Sequence, residues 1–281
     1  MIHFVYNPDS RDVPTGNYLL DAAKRRGIPV SWSSKGPLAG AIPSLLIKVD
    51  DGDYDQIDYN HICDCPTAWW FIDPDTDFER GHQIGKHFDY IFCSQLTGAN
   101  KLRDLGLNAY WLPLGCDPVY HNSIYPTLQD RPFDVGFSGS TNKSFWNPQR
   151  PIILNKISEN FSNHIIQNTN KGENAMVNGS CKVVFNDNPY NNINMRHFEA
   201  ISAGSILVTK KVYDNGFESL DTSESVLLYE SEEEAIELIG YALDNINNLE
   251  FQSKELSNVY KKNHSYDSRL TSVISAAGGL E

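Results

Sequence analysis

Long apolar runs are missing from this chain. No stretch of 18 or more apolar residues occurs in its 281 residues, so no transmembrane helix is predicted. The opening "MIHFVYNPDS" has neither a basic region nor an apolar core of leader length, which gives a cytoplasmic expectation. Positive charge is scarce. Lys and Arg number 23 against 36 Asp and Glu, for a net charge of −13. That balance excludes a broad electrostatic grip on nucleic acid or anionic membrane. It leaves room for a local basic pocket that holds one small anion. The cysteines are few and odd in number, five in all, without a disulfide-scaffold spacing. Cys63-Asp64-Cys65 is a lone CxC with no second pair nearby, so a metal site is not expected. The thiols read as small buried or half-buried side chains. Internal repeats, low-complexity tracts, the P-loop spacing and the dinucleotide fingerprint are absent as well.

What is present is alternation. Hydrophobic residues make up 40% and charged residues 21%, ordinary for a globular chain. Short apolar runs read as strands at 1–6, 28–32, 44–49, 67–72, 90–94 and 109–114. Helical patterns lie between them, at Tyr18–Arg26 closed by Gly27 and at Thr97–Leu105 closed by Gly106. Strands separated by helices imply parallel pairing through crossovers. The texture then changes. "GCDPVYHNSIYPTLQDRP" (115–132) has three prolines and little periodicity, and reads as a linker. The alternation restarts with "FDVGFSGS" (133–140), a helix at Arg150–Phe161 and strands at 180–186, 205–209 and 225–229. Ser231 with Glu234 forms a capping box for a helix running to about Asn247. Helical patterns near Lys254–Lys262 and Asp267–Ala276 close the chain. The expectation is an α/β protein of two domains, 1–125 and 126–281. The final helix is a candidate to pack back on the first domain. Ligands of open parallel sheets bind at the carboxyl ends of strands.

Two segments carry candidate chemistry. "GFSGSTNKS" (136–144) joins a strand to a helix. Its small residues, Gly139 and Ser140 among them, let backbone N–H groups approach a phosphate. "NMRHFEAISAGSILVT" (194–209) reads as a helix stopped by Gly204 and followed by a strand. It sets Arg196 and Glu199 one turn apart. A plain i,i+3 ion pair is one account of them, worth a few tenths of a kcal/mol. However, a base before an acid is the unfavourable order for the helix dipole. In the other account Glu199 accepts hydrogen bonds from ribose hydroxyls, while Arg196 and the helix start hold a diphosphate.

The second segment resembles the N-x-R-x-F-E-A-x-A-x-G stretch of GT-B glycosyltransferases, and is most similar to the branch related to the spore maturation protein CgeB. "FDYIFCSQLTGANKLRDLGLNAYWLPLGCDP" (88–118), "RPFDVGFSGS" (131–140) with Arg150, "NGSCKVVFNDNPYNNINMRHFEA" (178–200) and "HSYDSR" (264–269) share that texture, over roughly residues 60–270. The resemblance implies a GT-B fold, two Rossmann-like domains facing a central cleft. It implies a metal-independent transferase without a cofactor, moving a hexosyl-type sugar from a nucleotide diphosphate donor, a UDP-sugar, to an unidentified acceptor. Donor-binding residues would be Gly139, Ser140, Arg150, Asn194, Arg196, Glu199 and Gly204, on the C-terminal domain. One departure stands out. Retaining enzymes with an E-x7-E signature carry another glutamate where this chain has Asn191.

An inverting transferase needs a base in its first domain. "WWFIDPDTDFERGH" (69–82) follows a strand and offers Asp73, with Asp75 and His82 as alternatives. Helix-capping loop acids are the plain account of the same run. The D-x-D triplets, at 51–53 and 73–77, read as solvated loops. Trp69, Trp70 and Trp111 are either an acceptor platform or core aromatics. Two rival functions stay open: a non-catalytic nucleotide-sugar-binding protein or partner subunit, and a nucleotide-sugar epimerase.

Overall fold

The computed structural model describes residues 1–9, 14–34, 42–50, 64–142, 148–168, 173–188 and 190–279. Cys63, the triplet at 51–53 and Ser144 lie outside them. The chain divides into two compact units, Met1–Leu114 with Tyr266–Glu281, and Gly115–Ser265. The sequence reading divides it at 125/126 instead.

The first unit runs β1 (Ile2–Val5), α1 (Thr15–Arg25), β2 (Val30–Ser33), β3 (Leu45–Val49), β4 (Thr67–Phe71), α2 (Phe78–Gly85), β5 (Tyr90–Cys93), α3 (Leu96–Asp104) and β6 (Ala109–Trp111). Its six strands form one sheet in the order β2-β1-β3-β4-β5-β6, and the pairs are parallel. Every residue of β3 and β4 is buried, as both faces of a parallel sheet demand. That explains the continuous apolar runs "LLI" and "AWWF". Edge strand β2 is mostly half-buried. Leu46, Trp69, Phe71 and Ile91 pack against Ile84, Ala99 and Leu102 from α2 and α3.

The second unit runs β7 (Phe133–Ser138), α4 (Arg150–Asn160), β8 (His164–Gln167), α5 (Glu173–Ser180), β9 (Cys181–Asn186), α6 (Met195–Ser202), β10 (Ile206–Lys210), β11 (Val226–Tyr229), α7 (Glu232–Asp244) and α8 (Ile246–Asn263). Five parallel strands take the order β11-β10-β9-β7-β8. Phe137, Val183, Phe185, Ile206 and Val208 meet Ile153 and Ile157 of α4 and Ile239 of α7.

The last helix, α9 (Tyr266–Ala276), belongs to the first unit. Tyr266 stacks on Tyr18 at 4.9 Å between ring centres. Asp267 pairs with Arg25 at 2.5 Å, and Arg269 donates to the carbonyls of Pro113 and Leu114 at 2.8 and 3.1 Å.

Several expectations need correction. β8 and α5 have no counterpart in the sequence reading. β8 is a half-buried edge strand of four residues, too short for a period to register. The weak pattern near Lys254–Lys262 is the end of an 18-residue helix, α8. The segment 115–132 is not a loose linker: Cys116, Asp117, His121, Leu128 and Arg131 are all buried in the second unit. Trp69 and Trp70 are core, 0% and 1% exposed. Trp69 stacks on Phe71, and the Trp70 indole N–H donates to Leu112 O at 3.0 Å. An acceptor platform built from these two rings is ruled out.

Candidate functional site

In the second unit the carboxyl ends of β7 and β9 meet the start of α6. β7 ends at Ser138 and gives way to Gly139, whose φ is +138°, a value that favours glycine. The turn also lies close against the Arg196 guanidinium. A Cβ on Gly139 would push against Arg196 Nη2, which would have to shift. Arg196, in the first turn of α6, donates to Ser138 O through Nη2 and to Asn186 Oδ1 at 2.9 Å through Nη1. Arg150, at the start of α4, reaches the same turn. It donates to Ser140 O at 3.2 Å, to Asp187 O at 2.8 Å and to Asp187 Oδ2 at 3.2 Å. Both guanidinium groups stand over the Phe137 ring, at 4.4 Å for Arg196 and 5.6 Å for Arg150.

Two guanidiniums therefore share one ring and one turn. Asp187 is a carboxylate in direct contact with the pair, through Arg150. Burial and then the Arg150 charge push Arg196 down to about 10, with Glu199 and Asp187 offsetting part of the shift. The group stays cationic at neutral pH, in surroundings that favour an added anion. Polar capacity is also left over. Ser138 Oγ, Gln167 Oε1 and Arg196 Nε are buried and have no hydrogen-bond partner among the described residues. Ser138 and Gln167 are register partners across β7 and β8. Unsatisfied groups of this kind are costly unless a ligand or water meets them.

Behind Arg196 lies an amide network. Asn186 exchanges hydrogen bonds with Asn194, the N-cap of α6, at 3.0 Å in each direction. It also donates to Asn188 Oδ1 at 2.8 Å and Thr209 Oγ1 at 3.1 Å. The Asn194 side chain is thus committed to Asn186, and it makes no cap bond to the helix.

Glu199, one turn on, is 3% exposed and takes different partners. Asn174 of α5 straddles its carboxylate at 3.2 and 3.4 Å. His121 Nε2 stands 3.4 Å from Oε1. The tautomer follows from the other ring nitrogen: His121 Nδ1 accepts the Asp117 backbone N–H at 2.9 Å, so the proton sits on Nε2 and faces Glu199. Burial lowers the His121 pKa, against opposing pulls from Glu199 and Asp117. Glu199 is thus a carboxylate oriented by neutral donors, with acceptor capacity beyond them. The plain ion pair between Arg196 and Glu199 does not form.

Gly204 is placed elsewhere. With φ of +71° it follows the C-cap of α6, and its N–H donates to Ile201 O at 2.9 Å. It ends the helix, at the opposite end from Arg196. Asn191 is exposed with φ of +90°. Its side chain is tied to Tyr213 backbone, accepting from N at 2.7 Å and donating to O at 2.5 Å.

The first-unit candidates follow β4. Asp73 is exposed, and its carbonyl accepts from Thr76 N at 3.2 Å and Thr76 Oγ1 at 2.8 Å. Asp75 is exposed in the same turn. Asp77 caps α2, accepting from Arg80 N at 3.1 Å. His82 lies on α2, 3.8 Å from Glu79 Oε1. Asp50, buried directly after β3, is a further acid at a strand end. Among the described residues no group of three or more His, Cys, Asp or Glu side chains could hold a metal ion, and no helix is long and apolar enough to cross a membrane.

Sequence reasoning missed His121, Asn174, Asn186 and Asp187. The run Asn186-Asp187-Asn188, directly after an apolar strand, was a usable signal. His121 was hidden in a segment whose prolines suggested a linker.

Residues 128–275 match a family model described as glycosyl transferase-like. No curated protein sequence matches the chain. Among solved structures, Anabaena HepE in complex with UDP and glucose is similar over 100% of both chains, at 10% identity and a TM-score of 0.67. Sucrose-phosphate synthase from Thermosynechococcus elongatus is similar over 98% of this chain and 97% of its own, at 10% identity and 0.63. The pneumococcal O-GlcNAc transferase GtfA, in complex with UDP and GlcNAc, covers 83% of this chain with 56% of its own, at 13% identity and 0.55. At these identities the likeness is one of fold: two parallel-sheet α/β units, as in GT-B glycosyltransferases.

Proposed function

Because this chain belongs to the glycosyl transferase-like family, we propose that it is a transferase that moves a sugar from a UDP-sugar to an acceptor hydroxyl, without a metal. The observation that carries the reading is the pair Arg150 and Arg196 over Phe137, beside the Gly139 turn and one helical turn from the oriented Glu199. The guanidiniums supply charge for a diphosphate, which an enzyme without a divalent ion must neutralise with side chains and helix ends. Glu199 accepts from the ribose hydroxyls. Similar structures hold UDP, which supports a uridine nucleotide here. Within the family we assign the chain to the CgeB-like branch.

In the transfer, the bond between the sugar's anomeric carbon and the phosphate oxygen breaks, and UDP leaves with the electron pair. The acceptor oxygen forms the new bond and gives its proton to a base. We assign that base to Asp73, which follows β4 in the first unit, with Asp75 and His82 as alternatives. Arg150, Arg196 and the Gly139 turn take up the negative charge growing on the leaving diphosphate.

The test is calorimetric titration with UDP in EDTA, followed by assay of UDP-sugar turnover with and without a panel of acceptor hydroxyls. UDP binding in EDTA and acceptor-dependent turnover support the proposal. Binding without turnover replaces it with a nucleotide-sugar-binding protein. Turnover that needs no acceptor replaces it with an epimerase or hydrolase. Binding that needs manganese overturns the metal-free site.

A further inference from the structure

At the opposite end of α6 from Arg196, the second unit holds a cavity of about 260 Å3. Its lining includes Arg131, Lys254 and Lys261, and no Asp or Glu. In a chain with a net charge of −13, such a lining is against the average.

One carboxylate, Glu250, acts on these cations, bonded to Lys254 and pulling on Arg131 through space. Arg131 is 6% exposed. It donates to Cys181 O at 2.7 Å and to Ser205 Oγ and Ala203 O at 2.6 Å, all uncharged. Its Nε is buried without a hydrogen-bond partner. Lys261, half-buried, donates to the uncharged Asn122 Oδ1 at 2.8 Å. Lys254 is paired with a carboxylate, Glu250, at 2.7 Å. Asp130, nearby in sequence, turns back on Thr127 N and Oγ1 at 3.2 and 2.7 Å. Burial, with the Arg131 charge adding to it, holds the Lys261 ammonium below the ordinary lysine range.

The end of α6 would normally repel an anion through its free carbonyls. Here they are covered. Ser202 O accepts from Ser257 Oγ at 2.6 Å, Ala203 O from Arg131, and Gly204 O from Ser253 Oγ at 3.2 Å. What faces the cavity is donor-rich and positive, and a dianion there supplies counter-charge for Lys261 and Arg131, whose hydrogen bonds go to uncharged groups and which the single nearby carboxylate Glu250, already bonded to Lys254, offsets only in part.

We propose that this cavity is an anion site, separate from the arginine pair, for a phosphate group that is free or is the monoester of a small molecule. The size fits that class. Pockets for drug-sized ligands run from roughly 300 to 1,000 Å3, and this one is smaller. The inference stands on the cavity and its cations and does not depend on the proposed transferase reaction.

The experiment is calorimetric titration of the full chain with inorganic phosphate and, separately, with glycerol phosphate. Wild type is compared with Lys261→Met and Arg196→Lys, each checked for an unchanged melting transition. The expected result is binding by wild type and Arg196→Lys, weakened roughly tenfold in Lys261→Met by loss of a charge-assisted bond. Tighter binding of the monoester identifies an esterified ligand, and equal binding identifies free phosphate. No binding by wild type overturns the proposal. So does binding that Lys261→Met leaves intact, and so does binding lost in Arg196→Lys, which would put the anion at the arginine pair. If Lys261→Met fails to fold, Lys254→Met takes its place under the same criteria.

Discussion

Arg196 and Glu199 stand one turn apart in α6, yet each takes its own partners. Arg196 faces Ser138, Asn186 and Phe137, while Glu199 faces His121 and Asn174. An ion-pair account would let either be replaced at a cost of a few tenths of a kcal/mol. The donor-site account predicts two separable losses. Glu199→Gln keeps size and fit in the helix, and should weaken UDP binding by roughly 1–3 kcal/mol, the range for a hydrogen bond to a charged group. Arg196→Lys should weaken UDP binding while leaving uridine nearly unaffected, because an ammonium cannot reproduce the planar fork on a phosphate. Titrating both variants with UDP and with uridine tells the accounts apart. Unchanged UDP affinity in both removes the donor site from this place. The proposed reaction gives a third residue, Asp73, a part in the chemistry rather than in the grip. Asp73→Asn should lower turnover by about 100-fold, as loss of a general base does, with UDP affinity kept. A full-rate variant moves the assignment to Asp75 or His82.

At the scale of elements, α7 shows how local sequence sets a boundary. Ser231 accepts the Glu234 N–H at 3.1 Å, and the Glu234 carboxylate reaches back to Glu230 N at 2.7 Å. Ser231→Ala should cost about 1 kcal/mol of stability in chemical denaturation; a change of a few tenths or less would mean that packing alone fixes this helix start. Such signals explain what was legible in the sequence. The strands "TAWWF" and "CKVVFN" are apolar because both faces of a parallel sheet are covered, and Gly204 marks the end of α6 because a left-handed residue is needed there. β8 and α5 were not legible, since a short half-buried edge strand and a helix beginning at Glu173 carry no strong period. The site was half legible. Gly139, Arg150, Asn194 and Arg196, named from two separate motifs, lie together around Phe137 and Asn186. Partners such as Asn174 and His121 come from other elements, and the tertiary fold alone brings them to Glu199. Gly204 has a place in the motif but sits at the far end of the helix, as its stop.

At the scale of the whole molecule, acid should act on the second unit through its buried imidazoles. His197 is 2% exposed, its Nε2 2.9 Å from the Tyr260 hydroxyl. That hydroxyl donates to Asp221 O at 3.0 Å, so the imidazole is the donor. Burial first, and then His264, pull its pKa down to about 3. His121 is lowered for the same leading reason. The sign follows from linkage. Above about pH 6.5 both residues are neutral whether folded or unfolded, and they add no pH dependence. Below it the unfolded chain takes up protons that the folded unit refuses, so stability falls. For His197 the fall continues toward its folded value of about 3, with a limiting slope of about 1.4 kcal/mol per pH unit. A competing effect has the opposite sign. The net charge of −13 at pH 7 relaxes as carboxylates protonate, which relieves repulsion. High salt screens that long-range effect and leaves the buried groups nearly untouched. Thermal midpoints recorded in high salt from pH 7.5 to 5 should therefore be flat down to about 6.5 and then decline. His197→Gln, which has no group to titrate there, should decline less steeply over the same range. The His264–Asp221 pair, at 2.8 Å, is common to both proteins, so the difference between them isolates His197. A His197→Gln midpoint that declines as steeply as wild type between pH 6.5 and 5 would mean that His197 accepts its proton inside the fold, contrary to the buried neutral state described for it.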